Sequence, residues 1–388
     1  MTLAGRFSYP TDYRLGAGEI EHLQNACTQY GINRPLLVTD KGLAGSDSIA
    51  RMMTLCGLSP DDLFSDISPN PTGEDVEAGI AVFQNGKHDG VIAVGGGSAL
   101  DAGKAIAFAA GQSRPMWDFE DIGDWWTRAD PDNIAPVIAV PTTAGTGSEV
   151  GRASVITKTE DQTKRIIFHP AMLPVCVIAD PELTVTLPPA LTAATGMDAL
   201  AHCLEALMAH SYHPFSEAMA VEGARLVREN LLTAMMEPDN IYARTNMLAA
   251  ASMGALAFQK GLGAVHALSH PLGAMFNAHH GTLNAVLLPA VLRFNCTDHA
   301  VADKLTRLAR LLNLPGDANP DTVIDWVEGL NRSIGMPSSL NALGVDPSRA
   351  DEVVEKALKD PSAGGNPITL DAQNLHQLLA DSMQPVDA

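Results

Sequence analysis

Two pairs of metal-ligating residue types recur at one spacing. Asp198 and His202 lie four apart within Ala193–His202, and His266 and His270 repeat the interval within Val265–His270. In a helix that spacing stacks both side chains on one face. A carboxylate with imidazoles is a donor set for Zn²⁺ or Fe²⁺, with room for a substrate oxygen. His279 and His280 follow, so four of the 12 histidines fall within fifteen positions. Six candidate ligands exceed what one open site takes, and spacing does not choose among them.

A second chemistry is written in the first half. The apolar run Gly90–Val94 leads into Gly95-Gly96-Gly97-Ser98, and a helix is expected to follow, with Ser98 as N-cap and Asp101 completing an approximate capping box. Glycines let backbone approach a ligand closely, and free N–H groups at a helix start favour an anion such as a diphosphate. The usual dinucleotide fingerprint would place a third glycine where Leu100 stands, so taken alone the loop also fits a structural turn. Pro141 to Glu149, dense in Thr, Gly and Ser, follows the apolar run Ala135–Val140 and suits phosphate and ribose contacts. Asp40 ends a third run and can accept from a ribose 2′-hydroxyl while repelling a 2′-phosphate; it serves equally well to turn the chain into Lys41-Gly42.

The elements that must position these residues divide the chain. The continuous apolar runs Pro35–Thr39, Gly90–Val94, Ala135–Val140 and Val175–Ala179 alternate with helical stretches, which indicates a parallel sheet covered on both faces. Beyond Pro188, long Ala/Leu/Met segments take over at Leu191–His210, Phe215–Met236 and Tyr242–Phe258. The expected architecture is an α/β N-terminal domain with a parallel, Rossmann-like sheet over residues 1–186, and an all-α domain over 187–388. The tail beyond Pro361 reads as a loop, one short helix and a frayed end.

Composition narrows the partners. The 388 residues carry 45 Asp plus Glu against 25 Lys plus Arg, a net charge of −20, which disfavours nucleic acid and anionic membranes. No apolar run reaches the roughly 20 residues a membrane span needs, and Met1 to Thr11 does not read as a signal peptide. The five cysteines, Cys27, Cys56, Cys176, Cys203 and Cys296, form no CxxC pair and fit reduced thiols in the cytoplasm.

Taken in order, Asn70-Pro71-Thr72, Gly95 to Ser98 with Asp101 and Lys104, Pro141 to Glu149, Ala194 to His202, Gly263 to Gly273 and His279-His280-Gly281 resemble the iron-containing (group III) alcohol dehydrogenase family over nearly the full length. The resemblance implies an N-terminal dinucleotide-binding domain, a helical metal-binding domain and an active site in the cleft between. By position it implies Asp198, His202, His266 and His280 as metal ligands, with iron usual and zinc able to replace it. It places His270 near the nicotinamide and leaves His279 without a role. Asp40 matches the acid of members preferring NAD, and Asn70, Gly96, Gly97, Ser98, Asp101, Thr142, Thr143, Thr146 and Lys164 match positions around the nucleotide. A homodimer or larger homo-oligomer is implied as well. One departure follows Val150, where Gly151-Arg152-Ala153-Ser154 stands. Arg152 could pair with a substrate carboxylate or with a neighbouring acid.

The expected reaction is reversible oxidation of a small primary alcohol, with a hydroxy acid such as 4-hydroxybutyrate as one example. NAD takes the hydride, the metal serves as Lewis acid, and His270 passes the hydroxyl proton to water. A dehydroquinate-synthase-like lyase and a polyol-phosphate dehydrogenase are rivals on the same fold. Both need more basic residues than the helical half offers near its histidines, Lys260 being the nearest. A non-catalytic metal- or nucleotide-binding regulator is the rival of another class.

Overall fold

The computed structural model describes residues 5–7, 11–161 and 163–384. The chain divides into two compact units, Met1–Leu187 with Asp239–Leu248, and Pro188–Pro238 with Ala249–Ala388.

The first unit is built on a seven-stranded sheet. Its strands are β1 (Gly5–Phe7), β2 (Asp12–Leu15), β3 (Pro35–Val38), β4 (Leu63–Phe64), β5 (Gly90–Gly95), β6 (Val137–Pro141) and, after a separate hairpin of β7 (Ala153–Lys158) and β8 (Thr163–Phe168), β9 (Cys176–Ala179). The order is β1-β2-β9-β6-β5-β3-β4, and every pairing is parallel except that of β1 with β2. Strands β3, β5, β6 and β9 are buried at every residue, as continuous apolarity requires of strands covered on both faces. Helices α1 (Leu23–Gln29), α2 (Asp47–Cys56), α3 (Gly73–Gly86) and α4 (Gly97–Ala109) belong to this unit. Leu37, Ile92, Ile138 and Ile178 share one core with Leu23, Ile49 and Met52 from α1 and α2. Each such side chain contributes roughly 1.5–3 kcal/mol by leaving water.

The second unit is helical, as expected. It holds α5 (Pro189–Met208), α6 (Pro214–Met236), the rest of α7 (Ile241–Ala257), α8 (Ala264–Phe276), α9 (His280–Asn295), α10 (His299–Leu311), α11 (Pro320–Ser333), α12 (Ala350–Lys359) and α13 (Ala372–Met383). A short 3₁₀ turn at Pro361–Gly365 precedes α13, so the stretch expected to be a loop is partly helical and the short helix is present, while the expected frayed end lies outside the described residues. Among the described residues no single helix is long and apolar enough to cross a bilayer, and none of the five cysteines forms a disulfide.

Candidate metal centre and nucleotide loops

In the first unit, parallel pairing brings the carboxyl ends of β5 and β6 side by side, with Gly95 opposite Pro141. The two loops then interlock: Thr142 N–H donates to Gly95 O at 3.0 Å, and Thr143 and Thr146 sit over Gly96 and Gly97. A Cβ on Gly97 would stand 2.6 Å from the Thr146 methyl, so the approach requires glycine. Helix α4 starts one residue before Ser98, with Gly96 as N-cap. Ser98 is therefore not the cap: its hydroxyl donates to Pro69 O instead. Nor is there a capping box. Asp101 accepts from Ser148 Oγ at 2.6 Å and Val155 N at 3.0 Å, and lies 3.2 Å from Lys104 Nζ. Lys104 is fully buried and also donates to Ser148 O, so this pair ties α4 to the Thr/Gly loop and β7. Burial lowers the Lys104 pKa, and Asp101 opposes that.

Asp40 turns the chain, as one of its two expected roles requires. Its Oδ1 accepts from Gly42 N at 2.8 Å and Leu43 N at 3.1 Å, while Oδ2 lies next to Gly95 at the head of the glycine loop. Asn70 is half-buried in the loop before Thr72, whose hydroxyl caps α3. Lys164 lies on β8 opposite Thr157. Arg152 is exposed just ahead of β7, with its guanidinium 5.7 Å from the centre of the Phe168 ring.

In the second unit three helices meet at one carboxylate. Asp198 and His202 sit one turn apart on α5, His266 lies in the first turn of α8, and His280 opens α9. His202 Nε2 and His266 Nε2 each lie 3.7 Å from Asp198 Oδ1, and His280 Nε2 lies 3.5 Å from it. Asp198, His202 and His266 form the tight, buried trio, with ligand atoms all within 4.8 Å of one another. The His280 side chain is 27% exposed and marks the open side. Gly281 permits this arrangement, because a Cβ there would stand 2.2 Å from Ala194 O on α5.

These residues fit a divalent ion. Ligands about 2.1 Å from a tetrahedral ion stand roughly 3.4 Å apart, close to the separations found. The fully buried Asn284 shows that these groups share a focus. Its Nδ2 lies 2.7 Å from Asp198 Oδ1, 3.2 Å from His280 Nε2 and 3.3 Å from His266 Nε2, while its Oδ1 has no hydrogen-bond partner among the described residues. Burial alone would raise the Asp198 carboxyl, but the surrounding imidazoles of His202, His280 and His266 hold it far below the usual carboxylate range. Burial likewise disfavours a charged His266, yet Glu205 and Asp198 push its pKa up to about 10.

His270 stands beside the cluster, its ring stacked on His280 with centroids 5.4 Å apart. Its Nδ1 is 2.8 Å from Asp360 Oδ2. His279 is exposed and serves as N-cap residue of α9, with Nδ1 3.5 Å from Thr282 Oγ1.

Three polar partners escaped the sequence reading. Glu205 had a findable signal, since 198, 202 and 205 fall on one helical face. Asn284 repeats the four-residue spacing from His280. Asp360 lies 90 residues beyond His270 and offers no local pattern.

A parallel sheet ending in a glycine loop, and a helical unit carrying an aspartate–histidine cluster, define the class as a metal-dependent dehydrogenase. Residues 10–181 match the iron-containing alcohol dehydrogenase family, and residues 192–383 match the C-terminal part of that family. The chain is 39% identical to 4-hydroxybutyrate dehydrogenase of Cupriavidus necator, over 97% of this chain and 99% of that one. It is 38% identical to 1,3-propanediol dehydrogenase of Klebsiella pneumoniae, over 91% and 92%. The crystal structure of a 1,3-propanediol oxidoreductase superposes with a TM-score of 0.90 at 34% identity, covering 99% of both chains. Sulfoacetaldehyde reductase from Bifidobacterium kashiwanohense in complex with NAD⁺ superposes at 0.85 with 29% identity, covering 98% of each. The chain belongs to the iron-containing alcohol dehydrogenase family and is an NAD-linked alcohol oxidoreductase.

Proposed function

We propose that the chain interconverts a short primary alcohol bearing a terminal carboxylate, of the 4-hydroxybutyrate kind, with its aldehyde, using NAD and a divalent metal. The reading rests chiefly on the meeting of three imidazole nitrogens within 3.7 Å of one Asp198 oxygen, in a chain of this family. Asp198, His202, His266 and His280 would hold Fe²⁺ or Zn²⁺, which supplies a Lewis acid for the alcohol oxygen. His270 carries the hydroxyl proton away through Nε2, with Nδ1 held by Asp360. The N–H groups from Gly96 to Ser98 receive the diphosphate, and Asp40 accepts from the adenosine ribose. Asn70, Asp101, Thr142, Thr143, Thr146 and Lys164 complete that part of the site. The first unit thus serves as the NAD-binding domain, the second as the metal-binding, catalytic one.

The carboxylate preference is supported by the exposed Arg152 at the head of β7 and by the similarity to a 4-hydroxybutyrate dehydrogenase. A diol is the second reading, favoured by the likeness to 1,3-propanediol enzymes. A homodimer in the cytoplasm completes the proposal; five cysteines outside any disulfide among the described residues suit that reducing compartment.

The test is a panel of primary alcohols, diols and hydroxy acids with NAD and added Fe²⁺ or Zn²⁺, followed by NADH absorbance. A hydroxy acid should give the highest kcat/KM. In Arg152→Ala its KM should rise while that of an uncharged diol stays unchanged; equal effects on both would remove the carboxylate preference.

A further inference from the structure

Glu205 lies two turns beyond Asp198 on α5 and is almost completely buried. A carboxylate in such a place is costly unless its oxygens are taken up. Both are. Oε1 accepts from Val265 N at 2.8 Å, and Oε2 accepts from Nδ1 of His266. One side chain thus closes the first turn of α8 and grips the imidazole that the turn carries. With Nδ1 occupied in this way, only Nε2 of His266 faces Asp198.

We propose that Glu205 is the positioning residue of the metal centre: it fixes His266 as an Nε2 ligand and supplies the second negative charge that neutralises a divalent ion. The proposal rests on the metal-site reading above. Two physical consequences follow from the geometry. A histidine whose other nitrogen donates to a carboxylate is held in one tautomer and ring orientation and is a stronger donor to a metal. Asp198 and Glu205 together carry two negative charges, which match an M²⁺ in a pocket where an unbalanced charge is expensive. Asn366 offers an internal comparison. Its Oδ1 accepts from Ala264 N at 3.2 Å, so it also closes the first turn of α8, from the turn after α12, while its other hydrogen bonds go to Asn295 and Ile368.

The test is competitive titration of metal-free protein with Zn²⁺, and anaerobically with Fe²⁺, against a chromophoric chelator. Thermal unfolding of the metal-free form is measured alongside. Glu205→Gln preserves size but offers one acceptor for two N–H groups. It should weaken metal affinity about 10–100-fold, the usual cost of losing an outer partner of a ligating histidine. Glu205→Ala should weaken it at least as much, and its Co²⁺ form should show altered visible absorption. Asn366→Ala should lower the unfolding temperature yet leave metal affinity within about twofold of wild type. Unchanged affinity in both Glu205 variants would overturn the proposal. So would a loss in Asn366→Ala equal to that in Glu205→Gln, because the effect would then come from closing the helix alone. Wild-type protein that takes up no metal would overturn the metal-site reading and the proposal with it.

Discussion

The imidazole of His270 is tethered through Nδ1 to Asp360, 2.8 Å away, while its ring lies flat against that of His280. Burial would raise the Asp360 carboxyl, but His270 beside it and the N–H of Ser362 hold it below the usual range, so it stays ionised at neutral pH. His270→Ala should lower kcat by about 10²-fold, the lower range for loss of a positioned proton carrier, with metal content intact. Asp360→Asn should show a smaller fall in kcat and a displaced kcat–pH profile with little change in KM. Steady-state kinetics across pH with parallel metal analysis checks both. An unaltered profile in His270→Ala would remove the relay.

The proposed metal ligands give a different pattern. Asp198→Ala or His266→Ala should weaken metal binding by more than the roughly 10–100-fold that outer contacts cost, and abolish turnover, while NADH still binds. Chelation of the wild type should do the same, and added Fe²⁺ should restore activity. His266 is pushed up to about 10, so in metal-free protein a proton occupies it at neutral pH and must leave when metal enters. Metal affinity should therefore fall as pH drops below about 10, and loading at neutral pH should release a proton into weakly buffered solution. A pH-independent affinity there would show that His266 is not held protonated in the metal-free protein.

Much of this geometry is legible in the chain, for reasons that also explain what is not. Strands β3, β5, β6 and β9 are buried on both faces, so they read as unbroken apolar runs. The hairpin strands β7 and β8 are only half-buried and carry Lys, Arg and Thr, and β4 is two residues long, so none produces such a run. The pairs Asp198/His202 and His266/His270 share a spacing, but one pair supplies two candidate ligands and the other only one. His270 meets Asp360 through Nδ1 instead, a partner remote in sequence. Ser98 fails as a cap because Gly96 already has the extended backbone of an N-cap, leaving Ser98 inside the helix.

Cofactor choice is testable at Asp40, where turn and charge can be separated. Asp40→Asn keeps an oxygen for Gly42 N and Leu43 N but removes the negative charge. It should narrow the preference for NAD over NADP by about 10-fold, on the order of one lost charge-assisted contact. Asp40→Gly should narrow it too, with an added loss of thermal stability from the opened turn. The ratio of kcat/KM for the two cofactors is the measurement, and an unchanged ratio in Asp40→Asn would exclude ribose recognition there.

The helix that carries Asp198, His202 and Glu205 is finished by a buried lysine, and this makes its stability pH-dependent. Lys260 Nζ donates to Ala206 O and Leu207 O, both at 3.0 Å, and lies 2.9 Å from Glu217 Oε1, with Lys304 supporting the same end of α5. A cation at a helix carboxyl end is favourable, but desolvation dominates here and lowers Lys260 to about 8 from 10.5, against the pull of Glu217. Between those two values the unfolded chain binds a proton that the folded one has released, so this group adds stability as pH rises through the window and withdraws it as pH falls. Lys260→Met should cost about 1–3 kcal/mol at neutral pH, by taking its donor from Ala206 O and leaving Leu207 O to Lys304 alone. The cost should grow as pH is raised from about 8 toward 10.5, because only the wild type gains there. Denaturant unfolding of both proteins across that range decides it: a difference that stays flat with pH would mean that Lys260 keeps its ordinary titration in the folded state.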